Sequence, residues 1–178
     1  VALPGDPQIA EDSPAGAAAR KRFAGVFEST GHGHSSLFTE NLRLGYCYEP
    51  SPICVPDGSA AIDLENPRFV PTARPGTRAP HAWLHDGRSI LDLFGDGFVL
   101  LRLGDHPPGA EELIAAARER GLPLTVFRLA DPKVAALYER PLVLVRPDGH
   151  VAWRGNRLPE EALALVDRVR GAAGAADR

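Results

Sequence analysis

Four short apolar runs, separated by two helix-length segments and a tight turn, constrain the fold of this chain more than any other feature. They lie at residues 98–101, 124–127, 142–145 and 150–153, and the first and third are uninterrupted runs typical of a sheet covered on both faces. A helical crossover predicts that the first two strands are parallel, while the Pro147-Asp148-Gly149 turn predicts an antiparallel final pair. The order β-α-β-α-β-β-α therefore predicts an α/β fold: a mixed four-stranded sheet with helices on both faces.

Capping and stop residues set the limits of the helices in this region. Glu111 opens a helix through Arg120 that stops at Gly121, and its apolar stripe is Leu113, Ile114 and Ala117. Asp131 as the cap, followed by Pro132, predicts a short helix through about residue 138. A last helix begins near residues 159–161 and stops at Gly171; its predicted buried positions are Leu163, Val166 and Val169.

A further helix is predicted near the amino end. Ser13 is its expected cap, Pro14 its first residue and Gly31 its end. The apolar residues of this helix recur at helical spacing, at Ala19, Phe23, Val26 and Phe27.

Between the first helix and the sheet lies a long stretch of short apolar runs and turn signals. The Asp86-Gly87 pair predicts a hairpin between residues 82–84 and 90–93, although the stretch lacks a core of its own. The predicted organisation is a helix and linker at 1–41, an extended arm with hairpins at 42–96, the sheet domain at 97–172 and a frayed tail at 173–178.

Composition narrows the classes of function. The 178 residues include no Met, so we expect Val1 to follow a cleavage or a chain break and residues 1–41 to be the tail of a preceding domain. With a formal net charge of -3, the chain lacks the excess of basic residues that is typical of a nucleic-acid-binding protein. No stretch approaches the apolar length of a membrane span and no signal peptide is present, which predicts a cytoplasmic protein. Cys47 and Cys54 have neither redox nor metal-ligand spacing and are expected to be structural thiols.

The element order, with Pro141 before the third strand and a Pro-Asp-Gly hairpin after it, resembles the thioredoxin fold. The resemblance implies a cis peptide bond before Pro141. Thioredoxin chemistry needs a low-pKa thiolate at the start of the helix after the first strand. That place holds Asp105 and His106 and no Cys, so the redox pair is missing.

A more specific resemblance covers residues 42–154 and points to the carboxy-terminal region of FAD-dependent aromatic-ring hydroxylases, most of all those acting on polyketides. The segments that carry it are Leu44-Gly45-Tyr46, Val55-Pro56-Asp57-Gly58, Ala73-Arg74-Pro75-Gly76, Arg78-Ala79-Pro80-His81, Leu91-Asp92-Leu93-Phe94-Gly95 and residues 144–154. In that family the preceding two-thirds of the polypeptide bind FAD and substrate, and a thioredoxin-like domain without the cysteine pair closes it.

The resemblance implies a domain that is not catalytic by itself, in a parent enzyme that uses FAD and NAD(P)H. The domain would pack against the FAD and substrate domains of the same polypeptide or mediate contacts in a homodimer. The chain has no Gly-x-Gly-x-x-Gly motif, so no FAD-binding residue is carried over. Two alternatives remain: a stand-alone member of the thioredoxin superfamily, and an interaction module that lacks the redox pair.

No catalytic, cofactor-binding or metal-binding residue is predicted in this segment. The candidate contacts with a neighbouring domain or the substrate entrance are Arg74, Arg78, His81 and Trp83, which lie close together in sequence. The competing interpretation is structural: the two arginines bind backbone carbonyls of the arm, while His81 and Trp83 cap the core.

Overall fold

A computed structural model describes residues 7–29, 43–63 and 69–172. A short 3-10 helix at Pro7–Ala10 precedes helix α1, Pro14–Ser29. The backbone N–H of Gly16 donates to Ser13 Oγ at 3.1 Å, so Ser13 caps α1 as its side chain predicts. The predicted end at Gly31 lies outside the described residues.

The predicted sheet is confirmed. Its strands are β1 Phe98–Leu103, β2 Leu124–Leu129, β3 Leu142–Val145 and β4 Val151–Gly155. They are arranged in the order β2-β1-β3-β4. Strand β1 is parallel to β2 and antiparallel to β3, and β3 is antiparallel to β4. The helical crossover accounts for the parallel pairing of β1 with β2 and the hairpin for the antiparallel pairing of β3 with β4, and the arrangement is consistent with a thioredoxin-like fold.

Three helices cover the sheet: α2 Glu111–Glu119, α3 Pro132–Tyr138 and α4 Ala162–Val169. Asp131 Oδ1 accepts hydrogen bonds from the backbone N–H groups of Lys133 and Val134, which confirms the predicted cap of α3. Gly121 has a φ of 63° directly after α2, a left-handed conformation that ends a helix at little cost only for glycine.

Alternation along the strands divides the core into two layers. Leu100 and Leu144 point to one face, where they pack with α2 and α4. Leu101 and Val143 point to the other face, where they pack with α3 and with the arm. The arm contributes buried side chains to this second layer, namely Ala73, Ala79 and Ile90. The arm therefore completes the domain core rather than forming one of its own.

Two details of the sequence reading are wrong. Residues 90–93 do not form a hairpin strand but a 3-10 helix, Ile90–Leu93, because Ser89 and Asp92 form a capping box around its first turn. Helix α4 begins at Ala162; its buried positions are Ala162, Leu165, Val166 and Val169, and Leu163 is exposed. Residues 162, 165, 166 and 169 recur at the spacing of one helix face, and Leu163 lies off that face.

The cis bond predicted before Pro141 is also wrong. Within the described ranges the one cis peptide bond precedes Pro50. Glu139 adopts a left-handed conformation with a φ of 64° and turns the chain at the end of α3. Pro141 then enters β3 in line with the sheet, and its carbonyl accepts a hydrogen bond from Leu103 N–H at 2.8 Å. Within the same ranges, none of the helices has the length and apolar composition that crossing a membrane requires.

Candidate functional site

The arm is joined to the sheet by backbone hydrogen bonds along the start of β4. Gly76 N–H donates to Val151 O at 2.7 Å, and Val151 N–H donates to Thr77 O at 2.8 Å. A further bond of 2.8 Å runs from Ala79 N–H to Gly149 O. The arm therefore covers part of an edge that would otherwise expose unpaired backbone groups, and it holds its own side chains in fixed positions.

Arg74, one of the four predicted contact residues, lies inside the arm. Its Nη2 donates to Glu49 Oε1 at 2.6 Å, and its Nη1 pairs with Glu49 Oε2. Its Nε donates to the backbone carbonyl of Ser59 at 3.4 Å. A forked guanidinium–carboxylate pair fixes both groups in one plane, so Arg74 ties two distant parts of the arm together. The structural interpretation gave Arg74 backbone carbonyls as its partners; the structure gives it one, Ser59 O, beside the Glu49 carboxylate.

Arg78, His81 and Trp83 lie on the surface of the arm. The Trp83 side chain is 69% exposed, and its ring meets that of His81 edge to face at a centroid distance of 4.9 Å. Trp83 pairs with Ser89 across the Asp86-Gly87 turn, which confirms the predicted turn. The expectation that His81 and Trp83 cap the core is wrong, because both are exposed.

A cluster of aromatic rings in edge-to-face contact next to Arg78 was not predicted from the sequence. The Tyr46 and Tyr48 rings meet at 5.1 Å, and the Tyr48 ring meets that of His150 at 4.7 Å. The Arg146 guanidinium lies 5.3 Å from the centre of the Tyr48 ring, within the range of a cation–π contact. The His150 side chain is only 16% exposed and lies beneath Tyr48. The alternation of apolar residues at positions 44, 46 and 48 was the available signal.

Large apolar side chains are exposed mainly on the arm. Seven exposed large hydrophobic residues occur in the described ranges, and five of them belong to the arm: Leu44, Tyr46, Tyr48, Val70 and Trp83. We call the exposed residues Tyr46, Tyr48, Arg78, His81 and Trp83 the outer arm surface. Tyr, Trp and Arg are the residue types enriched where proteins meet other proteins.

A buried ion-pair network locks the arm to the sheet domain. Arg154 on β4 is 4% exposed; its Nε donates to Asp57 Oδ2 at 2.6 Å, and its Nη1 donates to Glu139 Oε2 at 2.9 Å. Burial raises the pKa of Asp57, but the hydrogen bonds from Ser59 and Arg154 outweigh it and lower that pKa to about 2. Asp57 and Arg154 are far apart in sequence, so no local pattern predicted their contact.

We expect this network to make the chain sensitive to acid. A carboxyl whose folded pKa lies below its unfolded value stabilises the fold above the unfolded pKa, and the contribution disappears as the pH falls through the folded pKa. For Asp57 the window runs from about pH 4 down to about pH 2. The free energy of unfolding should fall by up to about 2 kcal/mol across it. Urea titrations at several pH values measure this, and an unchanged pH slope in Asp57→Asn would contradict it.

Neither cysteine is placed for thiol chemistry. Cys47 and Cys54 are both free. Burial raises the pKa of Cys47, and the nearby Arg74 charge opposes this only in part. A thiol with a raised pKa is a poor nucleophile at neutral pH. Asp105 and His106, at the place where thioredoxins hold their cysteines, are exposed. In the part of the chain that the structure describes, no group of three or more His, Cys, Asp or Glu side chains could hold a metal ion.

Comparisons with known proteins agree with the family resemblance of residues 42–154. The family described as "Aromatic-ring hydroxylase, C-terminal" matches residues 72–176. The FAD-dependent monooxygenase apdD of Emericella nidulans is 38% identical over 162 residues, covering 81% of this chain and 26% of that protein. The chain therefore belongs to the aromatic-ring hydroxylase C-terminal family, whose relatives here are FAD-dependent monooxygenases.

Two solved structures share the fold. The rebeccamycin biosynthetic enzyme RebC with reduced flavin is 43% identical with a TM-score of 0.73, and the match covers 94% of this chain and 30% of that one. Aklavinone-11 hydroxylase, solved with FAD and aklavinone, is 35% identical with a TM-score of 0.58, covering 74% of this chain and 27% of that one. The chain thus spans about a quarter to a third of the length of these proteins.

Proposed function

We propose that this chain is the non-catalytic closing domain of an FAD-dependent monooxygenase that hydroxylates an aromatic or polyketide-derived substrate. The reaction would use FAD and NAD(P)H bound by other domains of the same polypeptide, in the cytoplasm. Similarity to RebC and aklavinone-11 hydroxylase supports the parent reaction. Within such a parent, 1–41 would end the preceding domain, 42–96 would be the arm, 97–172 the thioredoxin-like domain and 173–178 a tail.

The exposed outer arm surface is the observation that best supports a role in contact with other domains. Trp83 stands beside a tight turn, and Tyr48 lies on an extended segment whose N–H donates to Gly76 O at 2.9 Å. Keeping such side chains in water costs about 25 cal/mol for each Å² of apolar area that a partner could cover. Because the Arg74–Glu49 and Arg154–Asp57 pairs hold the arm in place, little conformational freedom is lost on contact. We infer that this surface meets the FAD and substrate domains of the parent.

The chemistry of the chain's own groups supports a role without catalysis. A nucleophile would need a lowered pKa or an adjacent base, and the pKa of Cys47 is raised instead. His81 contacts Trp83 at the surface, and His150 lies beneath Tyr48. Neither histidine is in a described hydrogen bond with a serine or cysteine that it could activate.

Flavin retention tests the claim that FAD binds elsewhere in the parent. The 178-residue chain is mixed with excess FAD and desalted, and its flavin absorbance is compared with that of the intact parent treated in the same way. We expect the parent to retain about one flavin per chain and the 178-residue chain to retain none. The sequence of the short chain has no Gly-x-Gly-x-x-Gly motif, whose glycines let the backbone approach a pyrophosphate. Stoichiometric flavin in the desalted short chain would contradict the proposal.

A further inference from the structure

The two edges of the sheet differ in how they are covered. The arm covers part of the β4 edge through backbone hydrogen bonds of Gly76, Thr77 and Ala79. Strand β2 lies at the other end of the order β2-β1-β3-β4, and in the described ranges no strand or isolated pairing joins its outer side. An exposed edge of this kind is a template on which another strand can pair.

The hydrogen bonds between β1 and β2 identify which backbone groups of β2 point outward. Phe98 N–H donates to Pro123 O at 2.9 Å, and Gly104 N–H donates to Leu129 O at 2.9 Å. Successive residues of a strand direct their N–H and C=O groups to alternate sides, so the odd-numbered residues from 123 to 129 face β1. The outward-pointing N–H and C=O groups therefore belong to Leu124, Val126 and Arg128.

Strand β2 has few of the features that keep an edge from pairing. It runs in regular register with β1 from Leu124 to Leu129, without a bulge. It contains no Pro, and its one charged side chain, Arg128, is turned back onto its own domain, where it donates to the backbone carbonyl of Asp105. Because natural edges avoid pairing by means of charges, prolines and bulges, this edge is well suited to receive a strand.

The side chains of β2 suit pairing with a second copy of the same strand. In a two-fold antiparallel arrangement centred on Val126, outward groups meet outward groups, and Leu124 lies opposite Arg128 of the other copy. The two arginines are therefore not opposite each other, an arrangement in which like charges would repel. Thr125 and Phe127, which line a groove of about 300 Å³ beside this edge, would lie opposite each other at the closer spacing of a non-hydrogen-bonded pair. Pairs of an aromatic and a β-branched side chain stabilise neighbouring strands.

We propose that β2 of one copy of this chain pairs with β2 of a second copy about a two-fold axis at Val126, so that two four-stranded sheets form one continuous sheet. A second copy is favoured over another strand of the same chain, because every strand in the described ranges already pairs within the sheet. Each copy uses the edge that the arm leaves uncovered, so the pair is closed. The proposal goes beyond the FAD-dependent function, since β2 and the arm lie at opposite edges of the sheet.

Hydrogen exchange of the unmodified 178-residue chain tests the proposal at single amides. Sedimentation over a range of concentrations should show a monomer–dimer equilibrium, which sets the conditions for each state. The N–H groups of Thr125 and Phe127 bond β1 and should be protected already in the monomer. The outward N–H groups of Leu124, Val126 and Arg128 should exchange freely in the monomer and at least about tenfold more slowly in the dimer.

A proline at the centre of the pair tests the backbone contact. Val126→Pro removes an outward N–H and leaves the bonds of β2 to β1 in place, a position at which an edge strand accepts proline. It should raise the dissociation constant of the dimer about thirtyfold or more, because the same hydrogen bond is lost on both sides of the two-fold axis. The matched control Val126→Ala shortens the side chain but keeps the N–H, and it should raise that constant by less than about fivefold.

Three results would overturn the proposal. The first is a chain that sediments as a monomer at every concentration, and the second is an equal effect of Val126→Pro and Val126→Ala. The third is a dimer whose outward β2 amides exchange as fast as in the monomer, because the two copies would then meet through another surface. If Val126→Pro does not keep the circular dichroism of the unmodified chain, the exchange pattern of the unmodified chain decides alone.

Discussion

Replacing Arg154 by Ala is expected to lower the free energy of unfolding by about 3–5 kcal/mol, the cost of breaking a buried ion pair by removing one partner. Arg154 is the group that holds Asp57 of the arm and Glu139 at the end of α3 together. Without it the Asp57 carboxylate, whose side chain is 9% exposed, would be left without its cation. We also expect the backbone hydrogen bonds between the arm and β4 to open more often.

Two measurements distinguish the loss of the Arg154 ion pairs from a general loss of packing. Urea unfolding gives the change in free energy, with the exposed neighbour Arg157→Ala as the control expected to stay within about 0.5 kcal/mol. Hydrogen exchange at Gly76 and Val55, whose N–H groups bond β4, reports on the arm itself. A loss below about 1 kcal/mol with unchanged exchange at these two amides would show that the ion-pair network does not hold the arm.

Replacing Trp83 by Ala should have different consequences in two settings. In the 178-residue chain the side chain is 69% exposed, so stability should change by no more than about 0.5 kcal/mol. In the intact parent the same change should weaken the contact between the arm and the other domains by about 2 kcal/mol or more, the value typical of a buried aromatic anchor. A cost of about 2 kcal/mol corresponds to a factor of about 30 in the docking equilibrium.

Hydrogen exchange measures this difference directly. Leu84 N–H and Ile90 N–H, on the two sides of the turn that carries Trp83, donate to Arg88 O and Ala82 O. In Trp83→Ala their protection should fall in the parent but not in the short chain, because only the parent has the covering domains. His106→Ala, on an exposed loop, is the matched control. Equal effects of Trp83→Ala in both settings would contradict a docking role.

Local signals explain why most of the sheet domain could be predicted from the sequence. The apolar run of β3 has no polar residue that could face water, and Asp131 with Pro132 marks the start of α3 within one residue. Such signals act within a few residues of each other, so a single sequence contains them. The predicted Pro141 cis bond rested on resemblance alone, and the left-handed Glu139 makes the turn instead.

The parts of the candidate site that could not be predicted depend on contacts between distant segments. Arg74 and Arg78 look alike in sequence, yet the first pairs with Glu49 inside the arm while the second is exposed. The arm's position is decided by isolated pairings with remote residues, of Thr77 with Cys47 and of Arg78 with His150. Residues that are neighbours in an extended segment point to opposite faces, so such pairings decide which side chains are buried. No periodicity within residues 42–96 specifies them.

Hydroxyl-radical footprinting tests the central claim most directly, because it reports which side chains of this domain are covered in the parent. In the 178-residue chain Trp83 and His106 should be oxidised and the buried Trp153 protected. In the intact parent we expect Trp83 and Tyr46 to become protected, His106 to stay reactive and Trp153 to stay protected. If Trp83 and Tyr46 are oxidised equally in both, the outer arm surface does not meet the flavin-binding domains, and the account of this domain as their docking partner is contradicted.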